Sequence, residues 1–208
     1  MHIKRFTHGV CQANSYIVSN EGTNEVVMFD SCGCNDKILK YIKEKNLVLK
    51  AIFLTHGHFD HIDGLKMLKR ETGADICIFY DEEKFLNNPA YNLSDDLNFL
   101  DEAVEKADYL FKDGEVISVG GMEIKVIHTP GHTSGSVCFM IEDCIFTGDT
   151  LFRASIGRFD FPTSDGPTEI KSIREKLFVL DNDIRVYPGH GFSTTIGKER
   201  EGNPYICG

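Results

Sequence analysis

The chain has 208 residues, 41% of them hydrophobic, and 22 Lys+Arg against 32 Asp+Glu give a formal net charge of -10. That size and apolar content suit one domain with a sizeable core, spanning 1–208, and the acidic balance argues against nucleic acid or an anionic membrane as the main partner. No stretch approaches a membrane span and Met1-His2-Ile3-Lys4-Arg5 opens no apolar run of signal-peptide length, so the cytoplasm is the expected location.

In chain order, Asn14 to Val18 and Val26 to Phe29 read as antiparallel strands around the polar turn Asn20 to Asn24. The second strand exits at Asp30-Ser31-Cys32-Gly33, where Asp30 is either a support for a neighbouring ligand or a plain turn carboxylate. Asn35 is expected to cap a helix running to about Lys45, with Ile38, Leu39 and Ile42 on one face. The run Ala51-Ile52-Phe53-Leu54 is a buried strand, and Thr55-His56-Gly57-His58-Phe59-Asp60-His61 is the turn that leaves it. A helix from about Ile62 to Thr72, stopped by Gly73, and a strand from Asp75 to Phe79 follow.

Residues 80 to 113 are rich in acids, with Phe85, Tyr91, Phe99 and Tyr109 interleaved. Short helices and a loop are expected there, forming either a lid over a crevice or a solvated connection with aromatic anchors. Hairpins are expected from Glu115 to His128 around Gly120-Gly121, and from Ser136 to Thr147 around Glu142-Asp143. A long loop, a helix from Pro167 to Phe178 and a last strand from Ile184 to Tyr187 complete the order. The seven cysteines are odd in number and scattered, which fits reduced thiols. Cys32 and Cys34 are the only close pair, read as structural or incidental.

Four of these segments share one design, an apolar strand followed by a tight Gly-containing turn that presents His or Asp. They carry His56, His58, Asp60 and His61, then His132, Asp149 and His190. Four potential ligands in the first turn are hard to explain as satisfied core polars, because each would need its own buried partner. Imidazole with carboxylate suits zinc, iron or manganese. Seven ligands exceed one coordination shell and suit two ions about 3.5–4 Å apart that share a bridging carboxylate.

His56-x-His58-x-Asp60-His61, Thr129-Pro130-Gly131-His132-Thr133, Gly148-Asp149-Thr150-Leu151-Phe152, Gly157-Arg158-Phe159-Asp160-Phe161 and Pro188-Gly189-His190-Gly191 occur in order along the chain. In these the chain resembles the metallo-β-lactamase superfamily, and most closely the small glyoxalase II-type (hydroxyacylglutathione hydrolase-like) hydrolases. The resemblance implies an α/β fold, a four-layer αββα sandwich with the metals at one edge of the two sheets. It implies that His56, His58 and His132 bind one ion, that Asp60, His61 and His190 bind the other, and that Asp149 bridges them. It also implies a metal-dependent thioesterase with two divalent ions, zinc foremost, acting on a small S-lactoylglutathione-like thioester as a monomer or homodimer.

In that reading a metal-bridging hydroxide attacks the thioester carbonyl, and Asp60 orients it and carries its proton. Asp149 stands where β-lactamases of the superfamily typically have cysteine, which argues against lactam cleavage. His58 stands where flavodiiron oxygen reductases use glutamate. The C-terminal helical domain that serves glutathione in larger glyoxalase II enzymes has no counterpart here, so glutathione specificity is not carried over. Arg158 either organises its loop through Asp160 or meets a substrate carboxylate. The rivals are a persulfide dioxygenase with one iron on His56, His132 and Asp149, and a non-catalytic metal-stabilised module.

Overall fold

The computed structural model describes residues 1–94 and 106–206. Two six-stranded sheets face each other. The first is ordered β1-β2-β3-β5-β6-β7, with β1 His2–His8, β2 Ala13–Ser19, β3 Glu25–Phe29, β5 Val48–Phe53, β6 Asp75–Phe79 and β7 Tyr109–Phe111. Its first three strands are antiparallel and the remainder parallel. A two-residue β4, Ser31–Cys32, follows β3. The second sheet is ordered β15-β14-β11-β10-β9-β8, with β8 Val116–Val119, β9 Met122–His128, β10 Val137–Ile141, β11 Cys144–Gly148, β14 Arg185–Pro188 and β15 Thr194–Thr195. A small hairpin, β12 Leu151–Phe152 with β13 Ser155–Ile156, follows β11.

The layering follows from strand alternation. Val27 and Phe29, then Ala51 and Phe53, then Cys77 and Phe79 point at the second sheet, where Phe139 and Phe146 meet them. Phe29 and Phe146 stack with ring centroids 4.2 Å apart. The alternate residues Val26, Met28, Ile52, Ile76 and Ile78 face outward onto α1 (Asn35–Glu44) and α3 (Leu65–Thr72). On the far side, Cys138, Ile145 and Val186 pack against Ile173 and Leu177 of the C-terminal helical region, and α5 (Gly166–Ser172) leads into it. The result is the αββα sandwich, its central strands buried on both faces.

Several local expectations are corrected. Cys34, not Asn35, is the N-cap of α1, and no side chain caps it. The helix expected from Ile62 is broken. A single turn, α2 Phe59–Ile62, ends at extended Asp63, and α3 starts only after Gly64 at φ +77°. The cause is β4: Ser31 Oγ donates to the Asp63 carbonyl at 2.5 Å, and the backbone there bridges Ile62 and Asp63 instead of continuing the helix. Residues 109–111 of the supposed connection are a sheet strand, while the short helices expected in that stretch are present at Glu83–Phe85 and at α4, Pro89–Asn92. Asp95, Asp96, Phe99, Asp101, Glu102 and Glu105 of that stretch lie outside the described residues. The loop after Asp149 contains the β12–β13 hairpin, and α5 passes into a wider turn closed by Phe178 N–H to the Ile173 carbonyl. Strand β1 escapes the pattern because it is an edge strand with mostly exposed side chains. The closing helix α6, Ile196–Gly202, was not foreseen either. Among the described residues no helix is long and apolar enough to cross a membrane.

Candidate metal centre

The strands end on one edge of the sandwich, and five exits meet there. Strand β3 delivers Asp30, β5 delivers His56 to His61, and β9 leads to His132. Strand β11 ends at Gly148 before Asp149, and β14 ends at Pro188 before His190. The two sheets are tied at this edge by backbone bonds, Val137 N–H to the Thr55 carbonyl at 2.9 Å and Asn14 N–H to the Gly189 carbonyl at 2.7 Å. Gly189 must lack a side chain: a Cβ there would lie 2.2 Å from Asp149 Oδ1 and 2.7 Å from His61 Cε1.

All seven residues expected as ligands converge. Among the described residues, three groups have ligand atoms within 4.8 Å of one another: His56, His58 and His132; His56, His61 and Asp149; and Asp60, His61 and His190. Asp149 is central. Its Oδ1 lies 3.3 Å from His61 Nε2, and its Oδ2 lies 3.3 Å from His190 Nε2 and 3.6 Å from His132 Nε2. Asp60 Oδ2 sits 3.4 Å from His190 Nε2.

The outer ring nitrogens are anchored, which fixes the inner ones. His56 Nδ1 meets Thr55 Oγ1 at 3.1 Å, and His61 Nδ1 meets Asp30 Oδ2 at 2.9 Å. His132 Nδ1 faces the Arg158 carbonyl at 2.7 Å, and His190 Nδ1 faces the Cys11 carbonyl at 3.0 Å. Each of these four rings therefore turns Nε2 inward. His58 is reversed, with Nδ1 2.9 Å from His132 Nε2. The buried Nε2 of His56 has no hydrogen-bond partner. An orphaned buried acceptor costs about 1–3 kcal/mol, and a cation at this point removes that cost. Five imidazoles and two carboxylates thus fit divalent metal ions.

Protein charges divide the cluster. Burial holds His56 and His132 below the usual imidazole range and His58 at about 3, so all three are neutral at pH 7. Burial also opposes charge on His61, but Asp149, Asp60 and Asp30 outweigh it and raise it well above the usual value. His190 is raised to about 10 in the same way, Asp149 overcoming burial. Asp60 is held ionised: burial would raise it, and His61 and His190 more than compensate.

Asp30 acts as a support. Buried and held at φ +55°, it accepts from Thr55 N–H at 2.7 Å and from the Thr55 hydroxyl at 2.9 Å, and its other contact is His61. Arg158 pairs with Asp160 through both Nε and Nη2, at 2.9 and 2.7 Å, and lies over the Phe161 ring. Its structural reading is the one the geometry shows.

Two residues were missed. Glu82, fully buried, accepts from Gly57 N–H at 2.9 Å and from Gly135 N–H at 3.0 Å. It thereby ties the His56/His58 turn to the one after His132. Burial pushes it up to about 7 despite these bonds and one from Thr133. Nothing in the acidic run Asp81-Glu82-Glu83 distinguishes it. Cys11 is one of the scattered thiols, yet its carbonyl anchors His190.

Residues 8–190 match the model of the metallo-beta-lactamase superfamily. Hydroxyacylglutathione hydrolase GloC of Haemophilus influenzae is 35% identical, over 94% of this chain and 93% of that protein. The structure of BLEG-1, described as a B3 metallo-beta-lactamase, superposes with a TM-score of 0.94 at 34% identity and covers 100% of both chains. TTHA1623, solved in a di-iron-bound form, gives 0.80 at 31% identity over 97% and 99%. With that family match, relatives similar along nearly their whole length, and the convergent cluster, the chain belongs to the metallo-beta-lactamase superfamily and is one of its metallo-hydrolases.

Proposed function

We propose that this metallo-hydrolase cleaves a thioester of a small molecule, in the manner of glyoxalase II, using two divalent ions with zinc as the expected metal. The observation that carries the reading is Asp149, whose carboxylate lies within 3.6 Å of His132 from one group and of His61 and His190 from the other. His56, His58 and His132 would hold one ion, and Asp60, His61 and His190 the other, with Asp149 common to both. Bound there, the ions supply hydroxide at neutral pH and polarise the substrate carbonyl.

The chain's own groups do the rest. Asp30 orients His61 directly and His56 through Thr55. Asp60, held ionised and only partly exposed, is placed to orient the attacking hydroxide and take its proton. A thioester suits the site because its thiolate leaves as an anion and needs no general acid. The net charge of -10 supports a small-molecule partner over nucleic acid or a membrane.

The likeness to BLEG-1 favours a second reading, β-lactam hydrolysis. Protein loaded with zinc, iron or manganese should therefore be assayed side by side on S-lactoylglutathione, a β-lactam and a persulfide with oxygen uptake. Thioester turnover well above lactam turnover, lost in His58→Ala, is expected. Oxygen consumption on one iron without thioesterase activity, or lactam turnover alone, would overturn the reading.

A further inference from the structure

The β12–β13 hairpin turns through Arg153 and Ala154, with Phe152 paired to Ser155. Ala154 sits at φ +56°, a left-handed conformation that disfavours a side-chain-bearing residue. The turn is held in that shape from below. Ala154 N–H donates to Glu199 Oε2 at 2.8 Å, and Asn203 Nδ2 donates to both the Ser155 carbonyl and Glu199 Oε2. Glu199 and Asn203 are buried. A strained turn fixed by two buried polar side chains is built to present what it carries.

What it carries is Arg153. Among the described residues Arg153 has no hydrogen bond or ion pair, whereas the other arginines engage a carboxylate or a carbonyl. Beside it lies a cleft of about 290 Å³ lined by Phe152, Arg153, His190, Gly191 and Phe192, with no acidic side chain in its wall. That is notable in a chain with ten more acids than bases. Phe152 packs edge-on to His190 with centroids 5.8 Å apart, and the Phe192 ring is 66% exposed. Arg5 braces Gly191 and Phe192, donating to the Gly191 carbonyl at 2.9 Å with its guanidinium 5.6 Å from the Phe192 ring. His190 belongs both to this cleft and to the group with Asp60 and His61, so the cleft opens directly off the metal centre.

We propose that this cleft is an anion subsite of the substrate. Arg153 receives a carboxylate joined, through an apolar segment lying against Phe152 and Phe192, to the group that reacts at the metals. The guanidinium fork suits a carboxylate, and the phenyl walls suit the carbons between it and the reacting bond. For the reaction the inference rests on the thioesterase reading; for the class of ligand it rests on the cleft alone.

The test uses cobalt-loaded protein and thiols that anchor on the metal, with affinity read from the thiolate-to-cobalt absorption. 3-Mercaptopropionate and 6-mercaptohexanoate are each compared with the neutral amide of the same length. At one chain length or both, the carboxylate should bind about tenfold more tightly than its amide. Arg153→Ala should abolish that preference, Arg153→Lys should keep part of it, and Phe192→Ala should weaken acid and amide alike at the same length. Equal affinities for acid and amide, or a preference that survives Arg153→Ala, would overturn the subsite. In parallel, kcat/KM is measured on thioesters with and without a carboxylate on either arm. Failure to hydrolyse any of them while the binding preference holds sinks the thioesterase reading and sustains the subsite. Hydrolysis of all of them, with no loss specific to the carboxylates in Arg153→Ala, sinks the subsite and sustains the reaction.

Discussion

His56, His58 and His132 form a closed pocket, each no more than 3% exposed, and burial keeps them neutral. Asp60, His61 and His190 form an open and charged one, where the His190 side chain is 24% exposed and Asp60 16%. The first offers lone pairs ready for a cation. The second already holds protons on two imidazoles against three carboxylates, so a cation there takes the place of bound protons. Metal ions entering the two halves would thus meet different competitors, and the halves should be separable by experiment.

Asp149 contacts histidines of both halves through its carboxylate, so its replacement should have the largest effect. Asp149→Ala is expected to lower thioester turnover by more than about 10³-fold and to reduce the metal bound per chain, measured by elemental analysis. A variant that lost only one ion and kept its rate would assign Asp149 to a single half. Next comes pH. His190 titrates at about 10 and His61 well above its usual value, so at neutral pH both carry a proton that a metal must displace. Affinity at the charged half should therefore fall as pH falls, by about tenfold to a hundredfold per unit. The neutral half, with His58 at about 3, should change little between about pH 6 and 8. Calorimetric titrations in that range should resolve a pH-insensitive and a pH-sensitive event, and two events of equal slope would erase the distinction.

Glu82 supports the histidine half from outside the cluster. Glu82→Gln keeps the shape but replaces one acceptor oxygen by a donor facing a backbone N–H, and it should weaken metal binding at the histidine half by about 10–100-fold. The charged half should hold its affinity, and Glu82→Asp should restore part of the loss. Asp30→Asn should do the reverse, weakening the half that contains His61 by about tenfold and the His56 side less, through Thr55. Smallest is Asp160→Ala: it removes an exposed ion pair with Arg158, while His132 still bonds the Arg158 carbonyl, so metal content should not change.

The converging histidines and aspartates were legible because each lies just past an apolar strand in a turn rich in glycine, and local pattern is what a sequence displays. The same is true of the central strands, whose apolar runs reflect burial on both faces. What stayed hidden depends on contacts distant in sequence. Glu82 matters because it joins Gly57 to Gly135, 78 residues apart, yet it reads as one acid among several. Helix α3 starts late because Ser31 claims the Asp63 carbonyl, and the significance of Arg153 lies in partners it does not have. Asp30 and Arg158 each leave two roles open in the sequence, and only their partners in the fold choose between them.

If hydrolysis needs Asp149 to serve two ions, both halves must be filled before it begins. Zinc should be titrated into metal-free protein while S-lactoylglutathione hydrolysis is recorded at each addition. Little activity is expected up to one equivalent, with a rise that saturates at two. Full activity at one equivalent, or none at two, would contradict it.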